Sequence, residues 1–404
     1  MTDEELPSLD SLDVAGKRVL VRCDLNVPLG DGAITDDLRI RAALPTLNDL
    51  LDRGARLAIC SHLGRPKGKV VDELRLAPVG ERLSKLFERD VTAVSDVVGE
   101  EAKEACASQT EVVLLENLRF EPGETANDAD FAEALASLAD AYVNDAFGAS
   151  HREHASIVGV PQRLPSAAGH LLVDEVSKLE RLLKEPEHPY VAVLGGVKVS
   201  DKLDVIESLI TRVDVLCIGG AMAFTLLVAK GEEVGRSLVE ENRVEDVKRM
   251  LAEAESKNVD IYLPTDVVAA DRPEEGSPHD TVALSEIGDR MGVDIGPETT
   301  GAFAKVIVGA RTLLWNGPMG IFEVPDYSAG TRGVATAIEE ATAEGAFTVA
   351  GGGDSAAALK LFSMTDAVSH LSTGGGASLE LLEGKDLPGV AALRQKTNGA
   401  KGSE

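Results

Sequence analysis

Short apolar runs rich in β-branched residues alternate along the chain with longer stretches in which apolar residues recur every three or four positions. The first kind has the length and composition of strands, the second the period of helices with one buried face. Strands are expected at residues 18–23, 56–61, 111–115 and 141–143, then at 190–194, 214–218, 260–263, 312–315, 347–350 and 368–371. Near-continuous apolar runs of this kind suit strands buried on both faces, so the rhythm predicts an α/β protein with parallel sheets covered by helices. A divide falls near residues 170–188. Residues 171–184 read as a helix with Leu171, Leu172, Val176, Leu179, Leu182 and Leu183 on one stripe, broken by Glu185-Pro186-Glu187-His188-Pro189. A second strand series then begins, so this helix is expected to connect two domains.

Bulk properties narrow the function classes. The chain has 404 residues, 44% of them hydrophobic, enough for a sizeable core. It carries 68 acidic against 40 basic residues, a formal charge of −28 spread along its length. Such a surface repels nucleic acid and anionic membranes, so neither is an expected partner. No apolar run reaches the ~20 residues of a membrane span, and the acidic N-terminus lacks a signal-peptide pattern, which points to the cytoplasm. The acid excess, the preference for arginine over lysine and an aromatic content of 3% read as the surface style of a salt-rich cytoplasm. Cys23, Cys60, Cys106 and Cys217 form no Cys-x-x-Cys pair and read as buried reduced thiols.

Ligands of open parallel sheets bind beyond the carboxyl ends of the strands, which directs the search for chemistry. In the first half these ends carry cations and polar groups. Arg22, Asp24 and Asn26 close the first strand; His62 and Arg65 follow the second, Arg119 the third and Arg152 the fourth. Arg39 lies at the expected start of the first crossover helix. One arginine alone is most simply a surface ion pair. Their recurrence at equivalent positions of an acidic chain points to one anion site, since guanidinium forks match phosphate and carboxylate.

In the second half the strand ends carry glycine instead: Gly195-Gly196, Gly219-Gly220, Asn316-Gly317-Pro318 and Gly351-Gly352-Gly353-Asp354-Ser355. Glycine lets backbone amides approach phosphate oxygens, and a helix N-terminus adds a favourable dipole. Lys198 and Lys202, four positions apart, are expected to share a helix face, and Asp354 is a candidate Mg2+ ligand. The run 351–356 also fits the dinucleotide pattern G-x-G-x-x-G/A, but the next strand ends His370-Leu371-Ser372-Thr373-Gly374 without the acid that would hold a ribose. With no Walker A motif either, dehydrogenase and P-loop readings lose ground. The other class, a non-catalytic anion- or nucleotide-binding protein, would be expected to lose either Lys202 or Arg39, and both are present.

Together these stretches resemble phosphoglycerate kinase over nearly the whole chain. The match rests on RCDLNVP at 22–28, SHLGRP at 61–66, LLENLRF at 114–120, NDAFGASHR at 144–152, LGGVKVSDK at 194–202, WNGPMGIFE at 315–323 and GGGDS at 351–355. Leu25 and Ser355 depart from the phenylalanine and threonine often found in the family, and Ser355 keeps the hydroxyl. The resemblance implies two Rossmann-like three-layer αβα domains facing each other across a cleft. A 3-phosphoglycerate domain would span 1–170, a connecting helix 171–185, a nucleotide domain 186–386, and a segment 387–404 would return to the first domain and end in a flexible tail. It implies a reversible, in-line phosphoryl transfer from 1,3-bisphosphoglycerate to ADP after domain closure, in glycolysis and gluconeogenesis, by a monomeric enzyme. Arg39 and Lys202 would flank the phosphoryl group in flight. Arg22, Asp24, Asn26, Arg39, His62, Arg65, Arg119 and Arg152 would bind the glycerate. Gly195, Lys198, Lys202, Gly219, Asn316, Pro318, Glu323, Gly352, Gly353, Asp354 and Ser355 would bind ADP or ATP, with Mg2+ on Asp354.

Overall fold

The strand Arg18–Cys23 is buried at every position although it begins with one arginine and carries a second. A buried guanidinium is tolerated only when its donors are used. Arg18 donates to the carbonyls of Leu57, Cys106 and Ser108 at 3.0, 3.1 and 3.1 Å. The polar head is thus absorbed where the strand begins, and the apolar residues behind it join a core that includes Leu47, Leu50, Leu57 and Leu83.

The computed structural model describes residues 6–30 and 32–401. The chain divides into one unit of residues 1–177 with 386–404, and another of residues 178–385. The first is built on a six-stranded parallel sheet in the order Thr92–Ala93, Val112–Leu114, Arg56–Cys60, Arg18–Cys23, Ala141–Asp145, Ser166–Ala168. The second is built on another, in the order Asp260–Tyr262, Val215–Ile218, Tyr190–Leu194, Thr312–Asn316, Phe347–Gly351, His370–Leu371. In each sheet the chain moves outward on one side of its first strand and then returns to the other. The strand order therefore reverses beside Arg18–Cys23 and beside Tyr190–Leu194, and a crevice opens there beyond the strand ends. The central strands are fully buried, as expected of sheets covered on both faces.

Every expected strand forms, with ends shifted by no more than two residues. Two edge strands, Thr92–Ala93 and Ser166–Ala168, have no counterpart in the apolar pattern because both are short, the first is exposed and the second is built of serine and alanine. The second unit also holds an antiparallel sheet centred on Asp266–Ala270, flanked by His279–Ala283 and Met291–Ile295, where only parallel pairing was expected. His279–Ala283 is mostly exposed and lacks an apolar run, so its sequence carries no strand signal. All four cysteines are free and buried. Helix Pro388–Lys401 packs on the first unit and includes the start of the expected flexible tail; residues 402–404 lie outside those described.

Helix His170–Lys184 carries the chain from one unit into the next. Its first turn is held by Asp145 at the end of strand Ala141–Asp145, whose Oδ1 accepts from the N–H of Leu171 at 2.9 Å and of Leu172 at 3.4 Å. Asp145 Oδ2 is buried without a partner. Burial pushes the carboxyl up to about 7, against the hydrogen bonds from Thr46 and the two amides. Between the unfolded value of 3.8 and about 7 the folded chain holds a proton that the unfolded chain has released. This group's contribution to stability is therefore largest at low pH and is lost as pH rises through that window, by roughly 4 kcal/mol in all. Asp145→Asn should flatten that part of the stability-versus-pH curve, read as urea midpoints from pH 4 to 8. An unchanged slope contradicts the assignment.

Candidate active site

Beyond the strand ends of the first unit, hydrogen bonds tie the polar residues into one frame. Arg39, in the first turn of helix Leu38–Asp52, donates through Nη1 to Asp24 Oδ2 at 2.7 Å. Asp24 Oδ1 accepts from the N–H of Asn26 at 3.3 Å, and Asn26 Oδ1 accepts from the N–H of Gly64 at 2.9 Å. The Gly64 carbonyl in turn accepts from Arg119 Nη1 at 2.6 Å. Asn117 pins the loops behind this chain. Its Nδ2 donates to the carbonyls of Leu63 and Leu74 at 2.8 and 2.9 Å, and its Oδ1 accepts from the N–H of Leu63 and Arg119, both at 3.1 Å.

The frame borders a cavity of about 450 Å³ lined by Arg65, Lys67, Gly68, Arg119, Pro122, Thr125, Arg152 and His154. Among the described residues no carboxylate lines it. The guanidinium groups of Arg65 and Arg152 make no hydrogen bond or ion pair to another described residue. Burial, then Arg152 and Arg22, lower Arg119 to about 10, which still leaves it charged at neutral pH. Among the expected residues, Arg65, Arg119 and Arg152 share this cavity, and Arg39, Asp24 and Asn26 reach it through the hydrogen-bond chain. Arg22 does not: it is fully buried, with its donors on Ser156, the Cys23 carbonyl and His62. Lys67, Thr125 and His154 are lining residues that sequence reasoning passed over, although Lys67 directly follows the 61–66 motif and His154 lies two positions beyond Arg152.

The second unit presents a different surface. One cavity of about 450 Å³ is lined by glycines 195, 196, 317, 352, 353, 375 and 376 together with Lys198, Asp201, Lys202, Asn316, Asp354, Ser355 and others. An apolar cavity of about 240 Å³ shares Gly196 and Val197 with it and extends past Phe224, Leu238, Met291 and Met319. The close approach of two loops explains the glycines. A Cβ on Gly317, whose φ is +99°, would lie 2.3 Å from the Gly195 carbonyl oxygen. Gly352, at φ +91°, caps helix Gly353–Leu361 and leaves its first amides facing the glycine-lined cavity.

Lys198 and Lys202 do not share a helix face. A short 3-10 turn, Val199–Asp201, separates them, and both flanking residues have non-helical backbone. Glu240 accepts from Ser200 N–H at 2.9 Å and from Ser200 Oγ at 2.7 Å, which holds the turn out of the helix that follows. Burial lowers Lys202 to about 8, while Asp354 and Asp201 act in the other direction. Asn316 Nδ2 is buried without a partner next to Gly352. Ser355 is buried and accepts from the N–H of Gly317 at 2.7 Å, so its hydroxyl braces the loop. The Pro318 carbonyl accepts from Gly196 N–H at 3.0 Å. Gly219 is packed under Met319, and Glu323 is exposed and lines neither cavity. Gly375 and Gly376 were passed over, yet they too follow a strand, His370–Leu371.

A model of the phosphoglycerate kinase family matches residues 9–385. The chain belongs to the phosphoglycerate kinase family. It is 55% identical over 388 residues to a phosphoglycerate kinase of Thermomicrobium roseum, covering 95% of this chain and 98% of the relative. It is 55% identical over 403 residues to that of Salinispora tropica, covering 97% and 100%. Among solved structures, phosphoglycerate kinase from Coxiella burnetii superposes with a TM-score of 0.88 at 40% identity, covering 97% of this chain and 99% of that one. As a phosphoglycerate kinase the protein is a phosphotransferase, and its distinct cationic and glycine-lined cavities are the features to be matched to its substrates.

Ser355→Ala leaves the buried N–H of Gly317 without an acceptor, which costs about 1–3 kcal/mol. Ser355→Thr keeps the hydroxyl and should fall much closer to the parent. Urea midpoints of the two variants provide the check, and an Ala variant as stable as the parent would remove Ser355 from the bracing role.

Proposed function

We propose that the cationic cavity of the first unit takes 3-phosphoglycerate or 1,3-bisphosphoglycerate, and that the two adjoining cavities of the second unit take ADP or ATP. The contrast in lining supports this most strongly. A chain of charge −28 surrounds one cavity with Arg65, Lys67, Arg119 and Arg152 and, among the described residues, with no acid. Such a wall suits an anion dense in phosphate and carboxylate oxygens. The glycine-lined cavity suits phosphates, and the apolar one a flat base.

In this reading Arg39 and Lys202 stabilise the phosphoryl group in flight, whose charge spreads over its equatorial oxygens. The acceptor carboxylate of 3-phosphoglycerate is already ionised, so no general base is required. Asp24 orients Arg39, and Asn26 and Arg119 are held in register through Gly64. Asn316 Nδ2, the amides at the start of helix Gly353–Leu361 and Lys198 hold nucleotide phosphates. Direct transfer calls for the exclusion of water, which is the role assigned to domain closure.

No cluster of three or more metal-ligating side chains occurs among the described residues. That fits Mg2+, which is commonly held by one or two carboxylates with substrate phosphates and water completing its shell. Asp354, exposed in the first turn of helix Gly353–Leu361 and beside Lys202, fits as that carboxylate. When bound, Mg2+ neutralises phosphate charge.

No helix among the described residues is long and apolar enough to cross a membrane. A cytoplasmic monomer acting in glycolysis and gluconeogenesis is the accompanying proposal.

The test is a coupled assay of ATP formation from 1,3-bisphosphoglycerate and ADP. Turnover should be readily measured in the parent and fall about a hundredfold or more in Lys202→Ala. Lys202 is charged below about 8 and neutral above it, so kcat/KM for the nucleotide should decline as pH rises through about 8. In Lys202→Arg that decline should vanish, because a guanidinium stays protonated. Equal activity in parent and Lys202→Ala overturns the assignment.

We read the acid excess as adaptation to salt. Screening shortens the self-repulsion of the charge from a range of ~10 Å at 0.1 M to ~3 Å at 1 M. The thermal midpoint should rise along a potassium chloride series while KM for 3-phosphoglycerate also rises, since salt screens the arginines too. A flat or falling midpoint between roughly 0.1 and 2 M contradicts salt adaptation.

A further inference from the structure

Glu124 lies in the short helix Pro122–Thr125 and is fully buried. Its Oε1 accepts from Ser156 Oγ at 2.7 Å and its Oε2 from the N–H of Ser156 at 3.0 Å. The same Ser156 Oγ accepts from Arg22 Nε at 2.9 Å. Arg22 Nη2 lies 3.0 Å from His62 Nδ1. Every direction in this chain is determined by chemistry. A guanidinium only donates, so Ser156 Oγ accepts from Arg22 and turns its own hydrogen to Glu124. For the same reason His62 Nδ1 is the acceptor, and the ring proton of the neutral imidazole sits on Nε2.

The imidazole is neutral. Burial, then the charges of Arg22, Arg119 and Arg39, with His154 beside them, hold His62 well below its ordinary value. Glu124 stays ionised: burial pushes it up, and His154, Arg22 and Ser156 outweigh that push and lower it. On its other side Glu124 Oε1 lies 3.6 Å from Nδ1 of His154, which lines the cationic cavity. The network therefore runs behind the cationic cavity and touches His154, which lines it, and His62, which is buried beside Arg22. Within the described residues no hydrogen bond uses His62 Nε2.

The geometry points to Glu124 as a positioning residue for the anion site: through Ser156 and Arg22 it fixes His62 as an Nε2–H donor, and it offsets the buried charge of Arg22. The inference rests on the reading of the cationic cavity as the 3-phosphoglycerate site. It gives Arg22 a role without contact to substrate, and it explains why a carboxylate is buried behind a site that must attract anions. Two carboxylate oxygens on one serine leave that serine a single orientation, and a fixed serine leaves Arg22 one place to direct Nη2.

Glu124→Gln and Ser156→Ala test this in the full-length protein. The first removes the charge. The second breaks the chain in the middle with both charges in place, and it carries the test if Glu124→Gln fails to fold. Long-range 15N–1H spectra of the imidazoles, with His62 assigned through His62→Asn, read the tautomer without any ligand. The parent should show His62 protonated on Nε2, and both variants should gain an Nδ1–H population. KM for 3-phosphoglycerate should rise about tenfold or more with kcat nearly unchanged, as for the loss of one oriented hydrogen bond to an anion.

Charge alone predicts the opposite sign, because removing an acid behind an anion site should lower KM. Variants that keep the parent tautomer, or that shift it while KM stays constant or falls, overturn the inference even if their thermal midpoints drop. If the parent itself fails to bind 3-phosphoglycerate, the reading of the cavity fails, and the tautomer spectra still decide whether Glu124 directs His62.

Discussion

A parallel sheet gathers the carboxyl ends of all its strands along one edge, and the chain must leave that edge by loops or helix starts whose amides have no strand partner. Both units of this protein are organised by that constraint. In the first, the loops after Arg18–Cys23, Arg56–Cys60, Val112–Leu114 and Ala141–Asp145 converge where the strand order reverses, and each brings a cation or a polar group. In the second, the same topology brings Gly195, Gly317 and Gly352 together, where backbone rather than side chain forms the surface. One geometry with two residue alphabets yields one cationic cavity and one lined by glycine, which we propose hold the small, densely charged acid and the nucleotide.

Charge is handled at two depths. At the cationic cavity Arg65 and Arg152 are unopposed: among the described residues they face a wall without acids. Behind them each cation has a carboxylate or carbonyl partner. Arg39 meets Asp24, Arg119 meets the Gly64 carbonyl, and Arg22 meets Ser156 with Glu124 beyond it. The buried partners make the cations rigid, and the missing partners at the surface make them available. A cation left unpartnered in the interior would carry a heavy desolvation cost, so this division is required as well as useful.

Much of this was legible in the sequence because strand ends of buried parallel sheets are marked by where apolar runs stop. The motif at 351–355 could be placed at a helix start from its glycines alone, and the structure puts Gly352 there with φ +91°. What stayed hidden depended on side-chain burial. Arg22 reads like its neighbours in the sequence, yet its strand position points it into the interior, where Ser156 and His62 take its donors. Glu124 carries no motif signal, since its partner lies 32 positions away. The antiparallel sheet around Asp266–Ala270 was hidden because His279–Ala283 is polar and exposed, and the two lysines of 198–202 read as helical because the sequence does not show Glu240 holding the turn between them.

The central claim is that substrate and nucleotide are held by separate sets of residues on separate units. Calorimetric titration of 3-phosphoglycerate and of Mg-ADP, each alone, into the parent, Arg152→Ala and Asp354→Asn tests it most directly. The account predicts that Arg152→Ala weakens 3-phosphoglycerate about tenfold or more and leaves Mg-ADP unchanged, and that Asp354→Asn does the reverse. A single substitution that abolishes both affinities in a folded protein would contradict it.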